Sequence, residues 1–243
     1  MPLLSAATYN IHRWVGTDGQ CVPERIIDVI REIDADIIGL QEVSLTGGGA
    51  DVQEAGQLFK IPGMNVILGP TLPQETSYYG NVLLTRRPVT RVARIDLSVD
   101  SREPRGAIDA DMDMGGVNVR VIVTHLGLKG YERRSQIDNL LALVAARKEC
   151  VTILMGDFNV WFPRSRLFPA IEHMVGRAPA LRTYPSRFPL FRLDRIWVRP
   201  EESLREIHVH RTPEAKIASD HLPVKAVIEM PGECLHDPQP AKP

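Results

Sequence analysis

Residues 151 to 160 read VTILMGDFNV, and this stretch constrains the fold more than any other part of the chain. Val151 to Met155 carry no charge and have the length and β-branched content of a buried strand. Gly156 permits a sharp change of backbone direction where that strand ends. Asp157 and Asn159 follow two residues apart, so an extended chain points them to one side while Phe158 points to the other. A buried strand that delivers two polar side chains at its carboxyl end needs neighbours to form a sheet.

The rest of the chain supplies them. LLSAATYNI (3–11), ADIIGLQEV (35–43), GNVLLTR (80–86), VTRVARIDL (89–97) and GAIDADMDM (106–114) read as strands. The GG pair at 115 and 116 turns the last of these into VNVRVIVTHL (117–126), a hairpin. Further strands fall at 193–198, 204–210 and 223–230. Two segments have helical periodicity. In 23–33, Pro23 suits the first turn and Ile26, Ile27, Ile30 and Ile33 share a face. In 131–149, Ile137, Leu140, Leu141 and Val144 do the same. Residues 161–192 read as an irregular stretch rich in Pro and Arg. Hairpins mixed with strand-helix units predict an α/β (α+β) chain with mixed sheets and helices outside them. At 243 residues with 44% hydrophobic content, one domain over 1–230 accommodates all of this. The proline-rich tail, 231–243, has too little apolar content to pack.

A formal net charge of −1 gives no global attraction to nucleic acid or to a membrane surface. No apolar run approaches the roughly 20 residues that span a bilayer, and the amino terminus lacks a basic region before its short apolar stretch. Neither a transmembrane helix nor a signal peptide is expected. Cys21, Cys150 and Cys234 are odd in number and lack metal-ligand spacing, which predicts free thiols and a cytoplasmic location.

Several strands end as the opening one does. The first ends in Asn10 and His12, the second in Gln41 and Glu42, and the hairpin's return strand in Thr124 and His125. Asp194 stands among apolar neighbours in RLDRIWV, and Asp220 and His221 immediately precede the last strand. Each has an ordinary role available when taken alone: a turn residue, a solvated strand end, a helix cap, or, for Asp194, an ion pair with Arg192 or Arg195. Recurrence at six strand ends is harder to explain that way. Strand ends gathered at one rim are a common place for ligands in sheet-based folds.

With TYNIH, LQEV, VTHL, GDFN, RLDRI and SDHLPV in this order over residues 8–224, the chain resembles the endonuclease/exonuclease/phosphatase superfamily of metal-dependent phosphohydrolases. The resemblance implies a four-layer αββα sandwich of two packed mixed sheets, with the active site at one edge. It implies that Glu42 is the main Mg²⁺ ligand, with Asn10 and Asp220 close to the metal. Asp157 and Asn159 match residues that orient the attacking water and contact the phosphate. His221 matches the histidine at the scissile phosphate, Asp194 the carboxylate that orients it, and His125 a second histidine of deoxyribonuclease-like and sphingomyelinase-like members. The chain departs from the abasic-site endonucleases: His12 stands where they have an acidic residue, and His125 where they have tyrosine. A DNA-repair role is therefore disfavoured.

The residue types suit that chemistry. Phosphoester hydrolysis needs an in-line nucleophile and stabilisation of charge on the phosphoryl and leaving oxygens. Mg²⁺, or Mn²⁺, prefers the oxygens of Glu, Asp and Asn, whereas zinc would call for a Cys or His cluster. Asp157 can take a proton from water, and His221, supported by Asp194, can offset phosphate charge. The expected substrate is a small or lipid-like phosphodiester, handled by a monomer. Eight arginines between Arg164 and Arg199 (164, 166, 177, 182, 187, 192, 195, 199) keep a DNA or RNA nuclease as the alternative. A phosphate-ligand binding protein that has lost catalysis is the reading from another class.

Overall fold

In chain order the strands are β1 (Leu3–Asn10), β2 (Ile37–Thr46), β3 (Asn65–Pro70), β4 (Ser77–Thr85), β5 (Val89–Asp96), β6 (Gly106–Asp113), β7 (Asn118–His125), β8 (Val151–Asp157), β9 (Asp194–Arg199), β10 (Leu204–Val209) and β11 (Val224–Glu229). The helices are α1 (Pro23–Ile33), α2 (Gly130–Ala145), α3 (Phe168–Val175) and α4 (Pro213–Ala218). These come from a computed structural model, which describes residues 2–46, 61–71, 77–147, 150–162 and 167–231. One sheet has the order β10-β11-β1-β2-β4-β3, the other β5-β6-β7-β8-β9. Both are mixed: β1 runs parallel to β2 and β7 parallel to β8, and the remaining pairs are antiparallel.

Three apolar clusters separate four layers. The central one joins the inner sheet faces through residues such as Leu4, Ala6, Ile37, Val121, Val123, Ile153, Met155 and Ile228. A second lies between the first sheet and helices α1 and α4, with Ile26, Ile30, Ile33, Ala215 and Ala218 packed on Tyr9, Ile38 and Leu40. The third packs α2 and α3 on the other sheet through Ile137, Leu140, Val144, Phe168 and Ile171. This is the αββα sandwich. Because β1, β2, β7, β8 and β9 are covered by a layer on both faces, most of their side chains are buried.

Local chemistry explains the element ends. Pro23 occupies the first turn of α1, and Asp34 closes the helix in a left-handed conformation, φ 44°. Glu132 accepts the backbone N–H of Lys129 at 2.9 Å and caps the start of α2. Beyond β8, Phe158 leaves the site side and packs edge-on to Trp197, ring centroids 4.7 Å apart, worth about 0.5–1.5 kcal/mol beyond its burial.

Three elements escape the sequence pattern. Strand β3 is largely half-exposed and shows no clean alternation. Helix α3 lies inside the stretch expected to be irregular, and α4 has six residues, too few to show a period. One expectation is corrected outright: Cys150 is disulfide-bonded, while Cys21 is exposed and free. Cysteine usage thus no longer points to a reducing compartment. Cys234 and the tail beyond Pro231 lie outside the described residues, as do residues 148 and 149 of the expected second helix. Among the described residues no helix is long and apolar enough to cross a membrane.

Candidate active site

Sheet register builds half of the site. In β7 and β8, Thr124 pairs with Gly156 and His125 with Asp157; across β8 and β9, Asp157 pairs with Asp194. Three neighbouring strands therefore end in one row, His125–Asp157–Asp194, with two carboxylates opposite one another. The close approach of β7 requires glycine before Asp157: a Cβ at Gly156 would sit 1.9 Å from the Thr124 carbonyl oxygen.

The first sheet supplies the other half. Asn10 ends β1 beside Gln41 of the parallel β2. The β2–β4 ladder shifts register between Leu40 and Val43, and Glu42 within that bulge has φ 55°, a strained conformation for a glutamate that turns its carboxylate into the cleft. Ser219, just before β11, donates its hydroxyl to the Asn10 carbonyl at 2.8 Å and accepts the His221 N–H at 3.2 Å. That pair of bonds fixes the Asp220–His221 turn against the end of β1.

The side chains converge on Asp157. Asn10 Nδ2 donates to Asp157 Oδ2 at 3.1 Å and to Glu42 Oε1 at 3.2 Å, while Asn10 Oδ1 accepts the His12 N–H. The Asn159 N–H donates to Asp157 Oδ1 at 2.9 Å. His125 Nε2 and His221 Nε2 lie 3.6 and 3.8 Å from Asp157 Oδ2. Asp157 and Asn159 do face the same cleft, but through a turn: Asn159 follows the strand with φ 50°. Behind them, His221 Nδ1 is 2.9 Å from Asp194 Oδ2. The partner of Asp194 is this histidine and not Arg195, whose Nε bonds the Arg192 carbonyl and whose guanidinium lies over Phe168. Asp220 and Glu42 stand at the opening, half-buried, with His12 Nδ1 at 3.7 Å from Asp220 and Arg13 Nε at 3.8 Å from Glu42. The cleft encloses about 520 Å³, and Tyr79, Trp161 and Tyr184 form part of its walls.

Burial and charge set the protonation states apart. Burial pushes the Asp157 carboxyl up to about 6, and the Asp194 charge adds to this against the opposing pull of His221. Burial works against a charged His221, but Asp194, by charge and hydrogen bond, with Asp157 and Asp220, outweighs it and lifts the imidazole to about 10. His125 goes the other way: burial, then the Arg105 and His221 charges, hold it well below its ordinary value and keep it neutral. The site thus holds a carboxylate poised near neutrality, a protonated histidine and a neutral histidine within a few ångströms.

Asp157, Asp194 and His221 offer ligand atoms within 4.8 Å of one another. The bond between Asp194 and His221 already commits two of these groups to each other. Glu42, Asp157 and Asp220 instead present oxygens toward the open cleft, with Asn10 between the first two. An all-oxygen set with excess negative charge suits a hard divalent cation.

Among the described residues, none of the arginines of the arginine-rich stretch lines the cleft. Arg164 and Arg166 lie outside the described residues, Arg195 and Arg199 are engaged with the fold, and none of the other four lines the cleft. The arginines that do line it are Arg13 and Arg105, which the sequence reading missed. Arg105 sits at the amino end of β6, two strands from Asp157, and no motif marks it; only the register β6–β7–β8 reveals its place.

A four-layer αββα sandwich with this acid and histidine cluster at its strand ends defines a phosphoesterase- or nuclease-type hydrolase. The chain belongs to the Endonuclease/Exonuclease/phosphatase family, whose model matches residues 7–221. It is similar to the uncharacterized protein YbhP of Escherichia coli, with 28% identity covering 92% of this chain and 95% of that protein. Among solved structures, an endonuclease/exonuclease/phosphatase from Beutenbergia cavernae superposes with a TM-score of 0.76 at 24% identity, over 96% of this chain and 72% of the other. A family protein from Bacteroides thetaiotaomicron gives the same TM-score at 21% identity, over 97% and 98% of the two chains. TDP2 of D. rerio, in complex with a single-strand DNA product, gives 0.67 at 15% identity, over 93% and 99%.

Proposed function

We propose that this protein is a divalent-metal-dependent phosphodiesterase, with residues 1–230 as one catalytic domain and a small or lipid-like phosphodiester as its preferred substrate. The observation that carries this reading is the environment of Asp157. A buried carboxylate with a raised pKa, bonded by Asn10 and Asn159 and flanked by His125 and His221, is arranged for proton transfer at an anionic centre.

In this reading Asp157 takes a proton from the attacking water, and Asn159 and Asn10 hold its oxygens in place. His221, kept protonated by Asp194, faces the same point and offsets charge building on the phosphoryl oxygens and leaving group. His125, neutral and held by Asn159, faces a phosphoryl oxygen. Glu42 and Asp220, with Asn10, hold Mg²⁺ or Mn²⁺. When bound, the ion supplies Lewis-acid stabilisation of developing oxyanion charge.

The surroundings of the cleft support the substrate class. Among the described residues two arginines, Arg13 and Arg105, line it, fewer than a track along a polynucleotide backbone would use. Leu128 on its wall and the neighbouring Phe162, Phe188 and Leu190 are exposed apolar side chains on or near the loops that bear Trp161 and Tyr184. Contact with an apolar substituent of the substrate is the use such residues fit. The nuclease reading draws on exposed Arg182 and Arg187 and on the fold shared with the DNA-bound TDP2. A turnover panel of plasmid DNA, single-stranded RNA, phospholipid vesicles and small phosphodiesters with Mg²⁺ separates the two. A lipid or small diester should give the highest kcat/KM, and its KM should change little between about 50 and 200 mM salt, where contacts to several phosphates would weaken steeply. A higher kcat/KM on DNA or RNA, with steep salt dependence, would replace the substrate assignment. Tight phosphate binding without turnover of any substrate would favour the binding-protein reading.

A further inference from the structure

Arg105 is 6% exposed, lies on the cleft wall and is poorly satisfied by the protein. Its Nη1 is 3.3 Å from His125 Nδ1, its Nη2 is 3.3 Å from Glu103 Oε2, and its buried Nε has no acceptor. Both contacts are long for a charged donor.

The contact with His125 is also in competition. Asn159 Nδ2 lies 3.0 Å from the other ring nitrogen, Nε2. Turning the Asn159 amide over would set its oxygen against the Leu126 carbonyl, which Nδ2 now engages at 2.9 Å. Two N–H groups therefore address one imidazole. A neutral imidazole has a single acceptor nitrogen, and a protonated one has none. One donor is surplus. Asn159 is anchored by Leu126 and makes the shorter contact, so the surplus falls on Arg105. A buried guanidinium with an unmatched Nε and a surplus Nη1 is costly unless an acceptor arrives. The cleft beside it is where one can.

We propose that Arg105 is a substrate-binding residue: its guanidinium turns from His125 to a non-bridging oxygen of the bound phosphoester, leaving His125 to Asn159. The proposal rests on the phosphoesterase reading of the same cleft. Arg105 then fixes the anion on the His125 side, opposite the His221–Asp194 pair. The ring state is compatible with this throughout: Asn159 donates to Nε2, and His125 carries its proton on Nδ1.

The test uses the full chain with inorganic phosphate as probe, in Mg²⁺, together with hydrolysis of bis-p-nitrophenyl phosphate. R105M should raise the phosphate Kd and the KM about 10-fold or more, the scale of a lost charged hydrogen bond, and should not lower Tm. R105K should recover part of the binding as a single-point donor, and it reports on the proposal if R105M does not fold. In wild type, the ¹⁵N resonances of the Arg105 guanidinium should shift as phosphate saturates, a change that a purely structural Arg105 would not produce. Equal phosphate affinity in wild type, R105M and R105K, with wild-type turnover intact, would overturn the Arg105 assignment and leave the phosphoesterase reading standing. A wild type that neither binds phosphate nor turns over a phosphoester would overturn both.

Discussion

Two clusters of buried ionised side chains among the described residues are built differently. In the β6–β7 hairpin, Asp109 and Arg120 are both fully buried and meet through two bonds, Nε to Oδ1 at 2.7 Å and Nη2 to Oδ2 at 3.0 Å. Arg91 adds a third bond to Asp109, and Arg147 holds Asp111. Burial alone would raise Asp109, but Arg120 and Arg91 outweigh it and hold the carboxyl below its ordinary value. At the strand ends, Asp157 faces Asp194 across the ladder with Glu42 and Asp220 nearby, and burial wins: Asp157 is raised, and Asp194 Oδ1 has no partner in the protein. The hairpin charges neutralise one another, leaving only Arg120 Nη1 without a partner among the described residues. The strand-end charges stay open toward a cleft, and open bonding capacity is what a site needs and a core avoids.

Substitutions at the two places should fail in opposite ways. The largest effect is expected at the cleft: Asp157→Asn should lower kcat by about 10²-fold or more, yet in EDTA its Tm should be no lower than that of wild type, because it removes a charge the fold disfavours. His221→Ala should lose activity on the same scale. Equal Tm losses at both places would erase the contrast. In the hairpin, Arg120→Ala should cost about 3–5 kcal/mol by stranding Asp109, a Tm fall of roughly 10 °C, with kcat of the folded enzyme unchanged. The double change Asp109→Leu with Arg120→Met should recover most of that loss, as measured by thermal denaturation; no recovery would mean that the pair does more than balance its own charge.

A smaller effect sharpens the comparison through pH. His221 has a folded pKa near 10, above the free value of about 6.5, so its stabilisation is fully present below about 6.5 and is lost as pH rises through 10. In EDTA, Tm should fall by a few degrees between those limits, and His221→Gln should flatten the curve. Asp157, raised to about 6, adds a loss of the same sign lower down, between about 4 and 6. Asp109 runs the other way: its stabilisation is present above the unfolded value and goes as pH falls below it. A wild-type Tm that rises from pH 6.5 to 10 would contradict the assigned charge on His221.

The sequence showed one of these regions and hid the other. Strand-end residues such as Asn10, Glu42, Asp157 and His221 stand out because each interrupts an apolar run at its end, where the parallel pairs β1–β2 and β7–β8 stop together. Asp109, Asp111 and Arg120 also lie in buried strands, but within them, where no strand end sets them apart. Arg105 was hidden for a related reason: its nearness to His125 is a property of register between strands, which spacing along one strand does not encode. Helix α4 and strand β3 were too short or too evenly half-buried to leave a periodic signature. Pairing of Asp194 with His221 depends on contact between the two sheets, so the nearer Arg195 was an equal candidate on sequence alone.

The central claim is that the open cluster around Asp157 hydrolyses phosphodiesters with a divalent cation. Its most direct test is the rate of bis-p-nitrophenyl phosphate hydrolysis by the purified wild-type chain, first with Mg²⁺ or Mn²⁺ and then with excess EDTA. The account predicts turnover with the cation, loss of that turnover in EDTA and its return when the cation is restored. A full rate in EDTA would contradict it.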